Sequence, residues 1–160
     1  DLLMGDGDTR WIHRGAYDLM NVNPAAAQSN AGLPRARALY GTIPEQLARP
    51  DSFLSQLRHI LAVRERYQLY AARQLAVPAV QAPGLLVMVH ELPAGAGLQV
   101  TALNFGQTAV AEDVAIPGAQ QGTAFEMLAG AAAGEVTAAD TLRVQLDALS
   151  GKSYLLAGGE

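Results

Sequence analysis

At 160 residues, half of them hydrophobic and 16% charged, the chain is long enough to bury a core and too apolar to be disordered. It has no cysteine, which excludes disulfides and thiolate metal sites, and no apolar run nears the roughly 18 residues of a membrane-spanning helix. The net charge of −4 is unevenly spread: residues 1–73 hold nine arginines against seven acids, and residues 74–160 hold Arg143 and Lys152 against eight acids. Neither half is basic enough to make nucleic acid an expected partner, and the change of sign suggests a change of structural unit near residue 73.

The start, Asp1-Leu2-Leu3-Met4-Gly5-Asp6, is acidic and lacks the basic region of a signal peptide. Beginning on Asp1, it reads as a chain cut from something longer. Residues 1–23 are rich in turn-forming glycine and aspartate. Trp11 and Tyr17 sit there beside Arg10, His13 and Arg14. Either the aromatics anchor a loop on a core, or aromatics and arginines border a ligand cleft, since a ring offers an apolar face and a polar edge. Asp6 and Asp8 are spaced like the start of a calcium loop, but its later ligands and closing glutamate are missing, so no metal is expected.

Asn23-Pro24 predicts a short helix through Gln28, with an Asn cap and proline in the first turn. Arg35 and Arg37, in the loop that follows, read as structurally paired or solvated. Ile43-Pro44-Glu45-Gln46-Leu47 predicts one helical turn. Residues 51–67 then predict the one long helix, with Asp51 or Ser52 as its cap. Phe53, Leu57, Ile60, Leu61 and Arg64 fall on one face, widened by Leu54 and Tyr67. Such a stripe needs a partner. Residues 1–50 offer none of comparable size, so its main packing surface is expected in a preceding part of the protein. His59 beside the stripe reads as a surface or hydrogen-bonded residue.

After Tyr67 the period changes. Strands are predicted at 74–80, 85–92, 98–105, 109–116, 124–128, 142–146 and 153–156, separated by glycine and proline breakers. Short strands at regular spacing predict an antiparallel sandwich. Leu85-Leu86-Val87-Met88-Val89 is apolar on both alternating faces, which predicts a central strand, with His90 at its end. No catalytic signature accompanies them: no Gly-x-Ser-x-Gly elbow, no phosphate loop and no His-Glu-x-x-His site. His13, His59 and His90 lack metal-ligand spacing. Glu112 and Asp113 should point to opposite faces of a strand, which suits solvent exposure.

The segment Ser52-Phe53-Leu54-x-x-x-Arg58-x-Ile60-Leu61-Ala62-x-Arg64 resembles the last barrel helix of the α-amylase superfamily, glycoside hydrolase family 13. Leu86-Val87-Met88-Val89-His90 and Val100-Thr101-Ala102-Leu103-Asn104-Phe105 resemble early strands of that family's C-terminal domain. The runs 10–19, 32–35 and 39–47, followed by Asp51-Ser52-Phe53, most resemble a trehalose-synthase-like branch. The resemblance implies an α+β fragment. Residues 1–73 would be the end of a catalytic (β/α)₈ barrel, with its last loop and last helix, and residues 74–160 an antiparallel Greek-key β-sandwich, domain C.

The family's catalytic carboxylates have no counterpart here, so no catalytic residue is assigned and the fragment alone is expected to be inactive. The parent would be a retaining α-glucoside-acting enzyme, converting maltose to trehalose or hydrolysing α-glucans. Arg10, Trp11, His13, Arg14 and Tyr17 would lie near the barrel mouth. No cofactor, membrane or nucleic acid is implied; the partners are the rest of the barrel and maltose or another α-glucoside, in the cytoplasm. The competing reading is a noncatalytic carbohydrate-binding or structural sandwich. Against a binding module, residues 74–160 offer only Phe105, Phe125 and Tyr154 as aromatics, with no tryptophan.

Overall fold

The computed structural model describes residues 18–28, 32–35 and 38–158. The chain divides into two compact units, Asp1–His59 and Ile60–Glu160, and the division falls inside one helix.

In the first unit, Asp18 organises a loop. Its carboxylate accepts the N–H groups of Val22 (2.8 Å) and Asn23 (3.0 Å), and the Arg35 guanidinium reaches it at 3.3 Å. Arg35 also donates to the carbonyl of Pro24 at 2.5 Å, so it is a structural arginine; Arg37 lies outside the described residues. The helix expected after Asn23 does not form. Residues 23–26 make a single turn, closed by Ala26 N–H to the Asn23 carbonyl at 3.1 Å, and Gln28 bridges to Pro34. The cause is tertiary: Arg35 occupies the Asn23 and Pro24 carbonyls that the first helical turn would need, and its own N–H takes the Ala27 carbonyl.

Helix α1, Ile43–Leu47, is the expected short turn. Glu45 reaches back to accept the Thr42 N–H at 2.7 Å, one half of a capping box. That bond holds the Glu45 carboxyl below the usual carboxylate range. The next residue, Gln46, is buried and ties α1 to helix α2, Phe53–Arg66. Its side chain donates to the Gly41 carbonyl and accepts the Leu54 N–H; its backbone carbonyl accepts the Ser52 hydroxyl at 2.6 Å. Of the two cap candidates, Ser52 acts: its hydroxyl accepts the Ser55 N–H at 3.2 Å.

The second unit contains eight strands: β1 Arg73–Ala76, β2 Leu85–Glu91, β3 Leu98–Asn104, β4 Val110–Ala115, β5 Gly122–Glu126, β6 Ala132–Val136, β7 Thr141–Leu146 and β8 Ser150–Leu156. They form one sheet in the order β1-β2-β3-β8-β5-β6-β7-β4, and every pairing is antiparallel. The sheet curls. Val87 and Val89 of β2, Val100 of β3 and Tyr154 of β8 share one buried cluster with Val114 of β4 and Leu142 and Val144 of β7, which lie far away along the strand order. The alternation of buried and half-buried residues along β2 and β3 marks their inner and outer faces. Each fully buried valine or leucine contributes about 1.5–3 kcal/mol by leaving water.

The expected strands are present with shifted ends, and β2 is interior, flanked by β1 and β3. β6 was not expected. Ala132-Ala133-Gly134-Glu135-Val136 has a single β-branched residue; pairing to β5 makes it a strand. The seven-residue register of β2 with β3 depends on a tight connection. Gly97 there has φ +109°, and a Cβ would lie 2.0 Å from the Leu156 carbonyl oxygen.

Two polar residues close this unit. Asn104, at the end of β3, is buried. Its amide donates to the carbonyls of Thr108 and Asp147, both at 2.8 Å, and its oxygen accepts the Gly106 N–H at 2.9 Å. Glu112 departs from the solvent-facing expectation. It is half-buried on the inward side of the edge strand β4, and its carboxylate oxygens accept the N–H groups of Gln81 (2.7 Å) and Ala82 (2.9 Å). The segment between β1 and β2 is thereby held beneath β4, with Val80 and Ala82 packed on the core. Asp113 does face outward and pairs with Arg143 across β4 and β7 at 2.9 Å.

Candidate functional surface

The five residues expected near a ligand, Arg10, Trp11, His13, Arg14 and Tyr17, lie outside the described residues. Among the described residues, no group of three His, Asp or Glu side chains is placed to hold a metal ion. No described helix is long and apolar enough to cross a membrane.

The most conspicuous surface belongs to α2. Phe53, Leu57, Ile60 and Leu61, the stripe read from the sequence, are 57%, 38%, 47% and 51% exposed, and no residue of the helix is fully buried. The half-buried positions are instead Leu54, Ser55 and Val63. An amphipathic helix normally turns its apolar stripe toward a core; here that stripe is open. Tyr40, itself exposed, stacks on Phe53 with ring centroids 5.1 Å apart and an interplanar angle of 18°, extending the apolar surface at the start of the helix.

Within the second unit, the end of α2 leaves an apolar cavity of about 320 Å³ against the sheet, lined by Ile60, Val63, Leu69, Thr101 and Met127 among others. Arg64 lies over the Tyr70 ring at 5.1 Å, at the same end of the helix. Its guanidinium thus makes a cation–π contact there. On the sheet below, the Gln99 amide donates to the Ser153 hydroxyl at 2.9 Å.

Sequence reasoning found the stripe but missed the loop-holding roles of Gln46, Glu112 and Asn104. A signal existed for the Thr42–Glu45 bond beside Gln46: Thr42-x-x-Glu45 has capping-box spacing. Glu112 carried none, because its partners are backbone groups thirty residues away in the chain.

No family model matches the chain, and no curated protein matches it. Solved structures do resemble it. An Anoxybacillus α-amylase, described as giving insight into a new glycosyl hydrolase subclass, matches 75% of this chain with a TM-score of 0.51 at 15% identity. A GH30 endoxylanase from Clostridium papyrosolvens C71 matches 62% of it with a TM-score of 0.46 at 16% identity. The chain spans about a quarter of the length of each, 26% and 27%. The likeness to the α-amylase is one of fold: this chain folds like part of a glycoside hydrolase.

Proposed function

We propose that this chain is the C-terminal part of a retaining α-glucoside-acting enzyme of the α-amylase superfamily, trehalose-synthase-like in its action. The observation that carries the reading is the open apolar stripe of α2, followed directly by an antiparallel β unit. A helix with a stripe of this length has the surface of one element in a larger packed layer, as the last helix of a (β/α)₈ barrel would. The fold likeness to an α-amylase supports it.

On this reading residues 1–73 complete the barrel and residues 74–160 form its Greek-key domain C. The acid/base and nucleophile carboxylates belong to the rest of the barrel. There one carboxylate forms a glucosyl-enzyme from maltose while the other protonates the departing sugar. Re-glycosylation of the retained glucose then gives trehalose, provided water is kept out. Arg10, Trp11, His13, Arg14 and Tyr17 are the proposed lid residues at the barrel mouth. The chain by itself would bind the remainder of the catalytic barrel rather than turn over substrate. The setting proposed with this activity is cytoplasmic.

The test is to recover the upstream coding sequence, express the full protein and assay it on maltose, scoring trehalose against glucose. Trehalose as main product supports the reading. Glucose alone makes the parent a hydrolase, and an upstream sequence without barrel strands bearing Asp, Glu and His-Asp ends the proposal.

A further inference from the structure

The cavity between the end of α2 and the sheet has two walls. Ile60 and Val63 of the helix, with Leu69 just beyond it, form one. The Tyr67 N–H closes the last helical turn on the Val63 carbonyl at 3.1 Å, and Gln68 then takes φ +49°. That left-handed residue ends the helix and turns the chain, so that Leu69 lines the same space as Ile60 and Val63. The other wall is the outward face of the sheet. Gln99 and Thr101 alternate with the buried Val100 and Ala102 of β3, and Ser153 of β8 pairs in register with Thr101. Met127 completes this wall, fixed by its N–H to the Ser153 carbonyl at 2.8 Å.

The polar side chains of the second wall are engaged with one another. The Gln99 amide donates to the Ser153 hydroxyl at 2.9 Å, which in turn donates to the Met127 sulfur at 3.4 Å and lies 3.5 Å from the Thr101 hydroxyl. Arg64, which also borders the cavity, lays its guanidinium over the Tyr70 ring. A water enclosed between these walls needs about two to four polar partners of its own. A strongly polar ligand would give up its hydration for groups that are already paired.

We infer that this cavity is a binding site for a small, neutral aromatic molecule. Its volume of about 320 Å³ lies at the lower end of the roughly 300–1,000 Å³ that small-molecule sites occupy, which limits the ligand to a single ring or a fused pair. A helix on one side and a pleated sheet on the other leave a slot between two walls, which suits a flat ring. Ile60, Val63 and Leu69 cover its apolar face, and the Met127 thioether makes a favourable contact with aromatic carbon. Charge argues for neutrality: Arg64 repels a cation, and the net charge of −6 over residues 74–160 works against an anion. The inference does not rest on the proposed activity of the parent.

The experiment is an NMR titration of the 160-residue chain with indole to about 10 mM, far enough to saturate a site of sub-millimolar Kd. Separate titrations use 1-pentanol and benzoate. Expected are saturable shifts of the Val63, Leu69, Thr101 and Ser153 amides with indole, nuclear Overhauser effects from indole to the Met127 methyl, and a Kd at least about tenfold below those of the other two probes. Val63→Phe, which fills the cavity from a half-buried helix position, should abolish the saturable shifts while the amide spectrum of β2 and β7 stays native. Leu57→Gln, on the exposed stripe, should leave them unchanged. Linear shifts, or shifts at Phe53 and Leu57 as large as those at the cavity, overturn the inference, since indole would then coat the stripe. Equal affinity for 1-pentanol overturns the selectivity for a ring, and tighter binding of benzoate shows an anion site instead. Wild-type binding by Val63→Phe, or no contact with the Met127 methyl, removes the ligand from this cavity. Failure here is distinguishable from failure of the proposed activity, which is read from turnover of the full protein.

Discussion

Leu142 and Leu61 are the same side chain in opposite settings. Leu142, on β7, is 0% exposed within a cluster fed by seven of the eight strands. Leu61, on α2, is 51% exposed on a stripe of four large apolar residues. The difference follows from how the two elements satisfy their backbones. A strand cannot pair its N–H and C=O groups alone, so forming the sheet brings neighbouring strands together, and curling buries their inner side chains. A helix pairs its backbone internally. It can therefore exist with its apolar face uncovered, held by its cap and by a few contacts on another side.

Substitutions should separate the two settings. The largest effect is expected from Leu142→Ala, which leaves a cavity in the core and should cost about 3–5 kcal/mol in a urea denaturation curve. Leu61→Ala should cost less than about 0.5 kcal/mol by the same measurement. A comparable loss at Leu61 would mean that α2 is packed in solution as tightly as the sheet.

The polar closures of the β unit come next. Glu112→Ala removes two bonds to a charged acceptor and should cost about 2–3 kcal/mol. Hydrogen exchange at the Gln81 and Ala82 amides should rise ahead of that in β2. Asp113→Asn, on the same strand but at an exposed ion pair, should fall within about 0.5 kcal/mol. Equal effects from the two substitutions would remove the clamp role from Glu112. Asn104→Ala should cost about 2 kcal/mol, by removing the three hydrogen bonds that its buried side chain makes.

A paired change on α2, Leu57→Gln with Leu61→Gln, should leave the unfolding midpoint of the β unit almost unmoved. It should reduce concentration-dependent association in sedimentation, because the exposed stripe is the sticky surface. Association unchanged by this pair would place the sticky surface elsewhere.

The smallest effects are those of pH. The Thr42 N–H holds Glu45 ionised below its ordinary range. Its stabilisation of α1 is therefore complete above the usual glutamate pKa and is lost as pH falls through the lower folded value, which the Thr42 amide shift will follow. Burial, with the Glu126 charge adding to it, pushes the Tyr154 phenol upward against the opposing Gln145 backbone bond. Its contribution is complete below the ordinary tyrosine pKa and is lost as pH rises to the folded value, visible as a late phenolate in ultraviolet titration.

Much of this architecture is legible in local pattern. The period change after Tyr67 marks where the strands begin, and the glycine and proline breakers mark most of the turns. The α2 stripe is readable from spacing alone, as is α1 from Ile43-Pro44. Other features depend on distant partners. The helix predicted from Asn23-Pro24 fails because Arg35 takes its carbonyls. β6 exists because β5 pairs with it, against the propensity of its own residues. Glu112 reads as a solvated charge until the segment at Gln81 and Ala82 is laid beneath it.

What the sequence determined by itself is which residues want to leave water and with what period, since that depends on side-chain chemistry and neighbours a few positions away. What only the tertiary structure decided is which of those residues found a partner. Leu142 found one within the curled sheet and Leu61 stayed exposed, because burial depends on what the chain brings against a face.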